Sequence, residues 1–411
     1  MEVEQLDVHG ARAALVWEPD VPIVSTSIRI AAGSRDDPAE RHGLAHVLEH
    51  TMFAGSDFRG RGEFGRLIEH TGGIVNASTL ADWTTYFHVV PAESFGVVLK
   101  SETARFATAD DRFDQKSITA DAQIVLRERH QRVSSPAYGD AAERLLAAVY
   151  PATSPYRHLP VGDPDHVGRV SAADCRAFFT RNYLSENVSV VILGRFDRAA
   201  TRAEVTELLG TFRQGTARAP IPADRSPRTV RVEVATENRD RVFLGIPLAP
   251  MSEREFDLAE VGSILLGRGP SSILARLLVQ EAALAEYVSL RVIPHQWSGS
   301  MGIVELAPSP GVGVAQLLAG FDAAMDSVVH RAVAADDIAR ARAVYLSSWL
   351  AEDDSLLHRA DGLTLSMQIH GAIDRYFGQP ARIEAMTADD FQHAARVWHS
   401  PRARAEVVYL R

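Results

Sequence analysis

Two histidines and one glutamate stand close together in the segment HGLAHVLEH, which covers residues 42–50. They are His46, Glu49 and His50, in the order H-x-x-E-H. If this segment is helical, the two histidines lie one turn apart on the same face, where both rings can bind one metal ion. Glu49 is then close enough to reach a metal-bound water without being a ligand. The residues indicate metal-assisted hydrolysis with a carboxylate as general base, and a chance run of polar residues on a helix is the competing interpretation.

A catalytic zinc site usually has three protein ligands and one water, so two histidines do not complete it. The chain has a single cysteine, Cys175, which excludes a thiolate zinc cluster and leaves histidine and carboxylate as ligand types. The best candidate for the third ligand is Glu128, in the helix-like segment DAQIVLRERHQR. A solvated charge among the neighbouring arginines is the other interpretation of this glutamate.

The elements that must position these residues belong to a long chain. Its 411 residues are too many for one ordinary core and predict two or three domains. A hydrophobic content of 46% with 23% charged residues is typical of a soluble globular protein. The net charge of −10 argues against nucleic acid or an anionic membrane as the main partner. The amino terminus does not resemble a signal peptide and no apolar stretch reaches membrane length, so we expect a cytoplasmic protein.

The sequence also indicates an internal duplication. A proline-rich segment at residues 215–228 is predicted to link a first domain, 1–214, to a second domain, 229–411. Each domain begins with a strand-like segment followed by a helix-like one, and each ends with a capped helix followed by a β-branched strand. We therefore predict an α+β fold of two homologous domains, each a mainly antiparallel sheet backed by helices. The equivalent helix of the second domain reads SSILARLL and carries no ligand, so only the first domain is expected to bind metal.

Three segments in this order, GLAHVLEHTMFAGS, GGIVNASTLADWTTYFHVVP and IVLRERHQR, resemble the pitrilysin-type metallopeptidases. That family includes insulin-degrading enzyme and the mitochondrial processing peptidases, and H-x-x-E-H is its inverzincin signature. The resemblance is to the short, two-domain bacterial branch and extends over nearly the whole chain. It implies the processing-peptidase-like fold and a zinc-dependent endopeptidase.

The resemblance also implies a role for each residue of the motif. His46 and His50 match the paired zinc ligands of the family, Glu49 matches its general base, and Glu128 matches its third ligand. Asp121 stands where the family usually carries a second glutamate. A shorter carboxylate could still orient a ligand histidine from outside the ligand set, so Asp121 is expected to support the site.

Three further residues match positions that contact substrate in the family. Asn76 and Ala77, in GGIVNAST, correspond to an exposed strand edge to which an extended peptide adds by backbone hydrogen bonds, and an ordinary edge strand is the competing interpretation. Phe53, one turn after His50, resembles an aromatic residue that lines the subsite beside the metal, and a buried core residue is the alternative.

The second domain departs from the family pattern. Active members usually carry an arginine seven residues before a tyrosine, and both contact substrate. Here Gln280 stands seven residues before Tyr287, and the other possible register places Val279 and Glu286 at these positions. The missing arginine implies a dimer in which a related subunit without metal supplies the arginine and the tyrosine, with a self-dimer as the alternative.

The function predicted from the sequence is hydrolysis of peptides or small unfolded proteins by a zinc endopeptidase. Removal of a leader peptide from a precursor is one special case. A non-catalytic structural or assembly subunit on the same fold is the alternative. A small lyase that shares H-x-x-E-H and cleaves a ribosyl thioether is disfavoured, because this chain has two full domains and a linker.

Overall fold

The computed structural model of the chain describes residues 2–53, 62–107, 113–216, 230–236, 238–399 and 404–411. Its strands are β1 (Glu2–Val8), β2 (Ala11–Trp17), β3 (Ile23–Ile30), β4 (Ile74–Thr79), β5 (Thr84–Pro91), β6 (Val188–Gly194), β7 (Val230–Ala235), β8 (Arg241–Leu248), β9 (Ala285–Ile293), β10 (Ser300–Pro308) and β11 (Ala405–Leu410). Its α-helices are α1 (Leu44–Phe53), α2 (Glu63–His70), α3 (Ala92–Ala107), α4 (Gln115–Arg129), α5 (Ala141–Val149), α6 (Pro164–Val167), α7 (Ala172–Asn182), α8 (Arg198–Gly210), α9 (Arg254–Gly267), α10 (Val314–His330), α11 (Ala335–Asp354), α12 (Leu356–His370), α13 (Asp374–Phe377), α14 (Gln379–Glu384) and α15 (Ala388–Val397). Two π-helical turns cover His130–Ser134 and Ala275–Glu281.

These elements form two compact units whose boundaries differ from the predicted domains. The first unit comprises residues 1–131, 158–219 and 351–377, and the second comprises 132–157, 220–350 and 378–411. Two segments, 132–157 and 351–377, lie in the other unit from the one that the division into 1–214 and 229–411 would give them. Helix α5 comes from the first half of the chain but packs on β8 and β11, and α12 comes from the second half but packs on β3 and β6. Of the predicted linker 215–228, residues 217–228 lie outside the described part of the chain.

The first unit is built on a six-stranded sheet in the order β1-β2-β6-β3-β5-β4. Strands β2 and β6 are parallel, and every other neighbouring pair is antiparallel. Helix α12 buries Leu363 and Met367 against Val16 and Leu193 of this sheet. Helices α1, α3 and α8 contact the sheet through β4, β5 and β2 respectively, and α1 also contacts α4. Because β4 is the last strand of this sheet, only one of its edges is paired with a described strand.

The second unit repeats this topology in a five-stranded sheet, β7-β11-β8-β10-β9. The parallel pair β7 and β11 corresponds to β2 and β6, and the edge strand β9 corresponds to β4. Helix α9 packs against α15, where the Trp398 indole donates a hydrogen bond to the carbonyl of Ala259 at 2.8 Å. The prediction of two α+β units with mainly antiparallel sheets is confirmed.

The ends of the two units are also alike. Helix α7 begins with a capping box, in which Ser171 and Asp174 each accept a backbone hydrogen bond from the other, and β6 follows it. Helix α15 begins with the same arrangement of Thr387 and Asp390, and β11 follows it. Each cap satisfies backbone N–H groups that the first turn of a helix leaves without a partner. Both capped helices were predicted from the sequence.

Candidate metal centre

Helix α1 carries the H-x-x-E-H motif and is fixed at its start by Asp37. The Asp37 carboxylate accepts hydrogen bonds from the backbone N–H groups of Gly43, at 2.7 Å, and Ala45, at 2.8 Å. Burial raises the pKa of Asp37, and contacts with His158 and the two N–H groups oppose that shift. Gly43 has a φ of +100°, and a Cβ at this position would lie 2.6 Å from a methyl group of Val167. The turn into the helix therefore requires glycine.

The helical spacing brings the three side chains of the motif together. The ligand atoms of His46, Glu49 and His50 all lie within 4.8 Å of one another. The two imidazole rings have centroids 5.0 Å apart and planes inclined by 52°. His46 and Glu49 are buried, whereas His50 is half-buried. The cluster thus has one partly exposed side, as a site that admits substrate requires.

Glu128 on α4 faces the same two histidines. Its Oε1 lies 3.4 Å from the Nε2 atom of His50, and its Oε2 lies 3.7 Å from the Nε2 atom of His46. The packing of α1 against α4 creates this contact between residues that are far apart in sequence. Two imidazole nitrogens and one carboxylate are a ligand set typical of catalytic zinc, with room for a fourth position. The donors therefore fit a zinc ion.

Glu49 and Asp121 are held by hydroxyl groups. The Thr79 hydroxyl, on β4, donates to Oε2 of Glu49 at 2.5 Å. The Thr51 hydroxyl, on α1, donates to the carbonyl oxygen of Val47 at 2.9 Å and shares this hydrogen with Oδ2 of Asp121 at 3.2 Å. Asp121 is 2% exposed. It therefore contacts the residue that follows His50, and its predicted role in orienting a ligand histidine stays a prediction.

The residues predicted to contact substrate are placed as follows. Asn76 and Ala77 lie in the middle of β4, opposite Phe87 and Tyr86 of β5. Asn76 is exposed, and its side-chain oxygen accepts a hydrogen bond from the N–H of Ala77 at 2.9 Å. The backbone of Phe53 ends α1, whereas its side chain lies outside the described part of the structure.

Gln280 and Tyr287 line one cavity of the second unit, beside the edge strand β9. Its volume is about 630 Å³. Gln280 donates a hydrogen bond to the carbonyl of Pro270 at 2.7 Å. Arg268 and Arg291 line the same cavity. The sequence prediction missed these arginines because neither stands at the family spacing from the tyrosine. Arg291 could have been found from the period of two along a strand, which puts it on the same side of β9 as Tyr287.

Comparison with known proteins agrees with this fold. The family model described as "Insulinase (Peptidase family M16)" matches residues 12–159, and "Peptidase M16 inactive domain" matches residues 169–345. The chain is 24% identical to "Zinc protease PqqE" of Helicobacter pylori over 64% of this chain and 60% of that protein. It is 31% identical to "Coenzyme PQQ synthesis protein F" of Pseudomonas aeruginosa over 69% of this chain and 37% of that protein. The matches thus span less than two thirds of the length of these two relatives.

A solved structure of a protease from Helicobacter pylori has the same fold. Its TM-score is 0.87 at 19% sequence identity, and the match covers 100% of this chain and 99% of that one. Within the described residues, no helix is both long enough and apolar enough to cross a membrane.

Proposed function

The chain belongs to the M16 family of peptidases, and from this premise we propose that it is a zinc-dependent endopeptidase that hydrolyses peptides or small unfolded proteins. The observation that carries the proposal is the convergence of His46, His50 and Glu128 beside Glu49. Relatives named as zinc proteases support it. A location in the cytoplasm stays a prediction.

His46, His50 and Glu128 would hold the zinc ion. When bound, zinc lowers the pKa of a coordinated water and polarises the scissile carbonyl. The Glu49 carboxylate accepts a proton from the attacking water and later gives it to the leaving amine. The Thr79 hydroxyl donates a hydrogen bond to Oε2 of this carboxylate. Asp121 helps to keep α1 and α4 together through Thr51.

The edge strand β4 is the proposed substrate site. A peptide that pairs with the open edge of a sheet must be extended, because its backbone N–H and C=O groups make the contacts. The hydrogen bond between Asn76 and the N–H of Ala77 would be replaced by one to the peptide. Such pairing reads little of the side-chain sequence, which suits an enzyme for peptides and unfolded segments. Removal of a leader peptide from a precursor is a special case of this substrate class.

We infer that the enzyme works as a dimer with a related subunit that lacks metal ligands and supplies an arginine and a tyrosine to the substrate. Gln280, at the position where the family carries the arginine, supports this inference. A self-dimer is the alternative, and the presence of Arg268 and Arg291 beside Tyr287 supports it. If the chain alone, loaded with zinc, cleaves peptides as fast as it does with a related partner, the case for a second gene product is lost.

The function is tested by metal analysis and cleavage of a peptide library by the wild-type chain, alone and with a candidate partner, with and without a chelator. We expect one zinc ion per chain and cleavage that the chelator abolishes. The Glu49→Gln variant keeps the shape of the side chain but not its basicity, and should bind zinc without cleaving. Turnover by the zinc-loaded variant would contradict the role of Glu49. Zinc binding without cleavage of any peptide by the wild-type chain would favour the non-catalytic subunit.

A further inference from the structure

The hydrogen bond between Thr79 and Glu49 joins two elements with separate tasks. Glu49 lies on α1 between the two histidines, and Thr79 is the last residue of β4. The Thr79 hydroxyl donates a hydrogen bond to Oε2 of Glu49, with the two oxygens 2.5 Å apart. Glu49 is only 6% exposed, so bulk water does not easily replace this donor. A buried carboxylate that loses such a donor bears the cost of its own desolvation.

The Thr79 hydroxyl is itself held in place by the end of the hairpin. Thr79 pairs with Thr84 of β5, and their hydroxyl oxygens are 3.4 Å apart. Thr84 donates its own hydrogen to the carbonyl of Ala32 at 3.0 Å and is 1% exposed. Thr84 is therefore not the donor to Thr79, and the Thr79 hydroxyl donates its own proton to Glu49. A β-branched side chain also has few accessible χ1 angles, which keeps the hydroxyl where the hairpin puts it.

Two buried tyrosines of the same unit are hydrogen-bonded to each other. The hydroxyl groups of Tyr86 and Tyr183 are 2.7 Å apart. Burial raises the pKa of both phenols, so both stay neutral. The Arg105 guanidinium lies 4.7 Å from the centroid of the Tyr86 ring, so these neutral phenols have a charged neighbour.

We propose that Thr79 is the positioning residue of the general base: its hydroxyl fixes the plane of the Glu49 carboxylate and so the direction in which Oε1 points. The proposal rests on the proposed function for the role of Glu49. It also ties the base to the strand that would hold the substrate, because Thr79 is two residues from Ala77 on the same edge strand. A peptide seated on β4 would therefore be aligned with the carboxylate by the strand itself.

The first test compares Thr79→Val with Thr79→Ser in the zinc-loaded chain. Valine keeps the branched shape without the hydroxyl, and serine keeps the hydroxyl. We expect Thr79→Val to lower kcat by about 10- to 100-fold with unchanged zinc content and nearly unchanged KM, since a misoriented base affects the chemical step. Thr79→Ser should stay within about threefold of the wild type. A Thr79→Val enzyme as active as Thr79→Ser would overturn the proposal.

The second test does not depend on activity. Unfolding of the zinc-free chain is measured for Thr79→Val, Glu49→Ala and the double variant. If the hydroxyl holds the carboxylate, the change in the unfolding equilibrium constant of the double variant should differ by about tenfold from the product of the two single changes. Additive effects would overturn the proposal. If the loaded wild-type chain cleaves no peptide, either alone or with a candidate partner, the proposed function fails, and this cycle alone decides whether Thr79 orients Glu49.

Discussion

Because of His88, the free energy of unfolding of the protein should fall as the pH is lowered. This residue lies on β5, is 1% exposed, and makes an edge-to-face contact with Phe64 at 6.1 Å between ring centroids. Burial lowers the pKa of His88 from 6.5 to about 4; the charge of Glu102 opposes the shift and that of Arg105 adds to it. The folded chain therefore accommodates the neutral ring and not the charged one.

The sign and size of the effect follow from linkage. Because the pKa of His88 is lower in the folded than in the unfolded chain, the unfolded chain binds more protons between pH 6.5 and pH 4. The contribution of His88 to the free energy of unfolding is fully present above pH 6.5 and is lost as the pH falls through that window. For a pKa shift of this size, the free energy of unfolding falls by about 2 kcal/mol by pH 5 and by about 3 kcal/mol by pH 4.

The assay is urea unfolding of the zinc-free wild type and of His88→Leu, from about pH 7 to about pH 4.5. The wild type should lose about 2 kcal/mol relative to the variant by pH 5. Val90→Ala is the matched control, because Val90 is 1% exposed on the same side of β5 and does not titrate. Its effect should be the same at every pH. If the difference between wild type and His88→Leu is also independent of pH, within about 0.5 kcal/mol, the reasoning about His88 is refuted.

Three further predictions concern α1 and the metal ligands. Asp37→Ala should lower the free energy of unfolding of the zinc-free chain by about 2 to 4 kcal/mol in urea titrations, because the N–H groups of Gly43 and Ala45 lose their acceptor. A change below about 0.5 kcal/mol would contradict the role of Asp37 at the start of α1. Glu128→Gln should weaken zinc binding by more than about 100-fold in a competition assay with a chromogenic chelator, and an unchanged affinity would exclude Glu128 as a ligand. Asp121→Asn should weaken zinc binding by about 10- to 100-fold, and equality with wild type would leave Asp121 without a role at the site.

The local part of the site could be predicted from the sequence because helical geometry relates positions in a fixed way. Residues four apart share a face of any α-helix, so the closeness of His46 and His50 follows once α1 is known to be helical. The capped starts of α7 and α15 were predictable for the same reason, since a cap and the N–H groups that it satisfies are neighbours in sequence.

The remainder depends on contacts between distant segments, which no local pattern specifies. The helical patterns of α5 and α12 predict helices, but an apolar stripe does not say which of two similar sheets it will cover. The closeness of Glu128 to the histidines came from the family resemblance and not from its own helix. Thr79 gave no signal of its own, because its contact with Glu49 exists only once α1 packs beside β4.

Helix α5, from the first half of the chain, completes the second unit, and α12, from the second half, completes the first. This arrangement limits how the chain can fold during synthesis and which fragments can fold alone. During synthesis the face of the first sheet that carries Val16 and Leu193 has no cover until residues 356–370 have left the ribosome. The first unit therefore cannot complete its core while the chain emerges, and must wait for most of the sequence. For the same reason, expression of residues 1–214 alone should give a protein that aggregates through this exposed face. Supplying residues 229–411 as a separate chain should then rescue it.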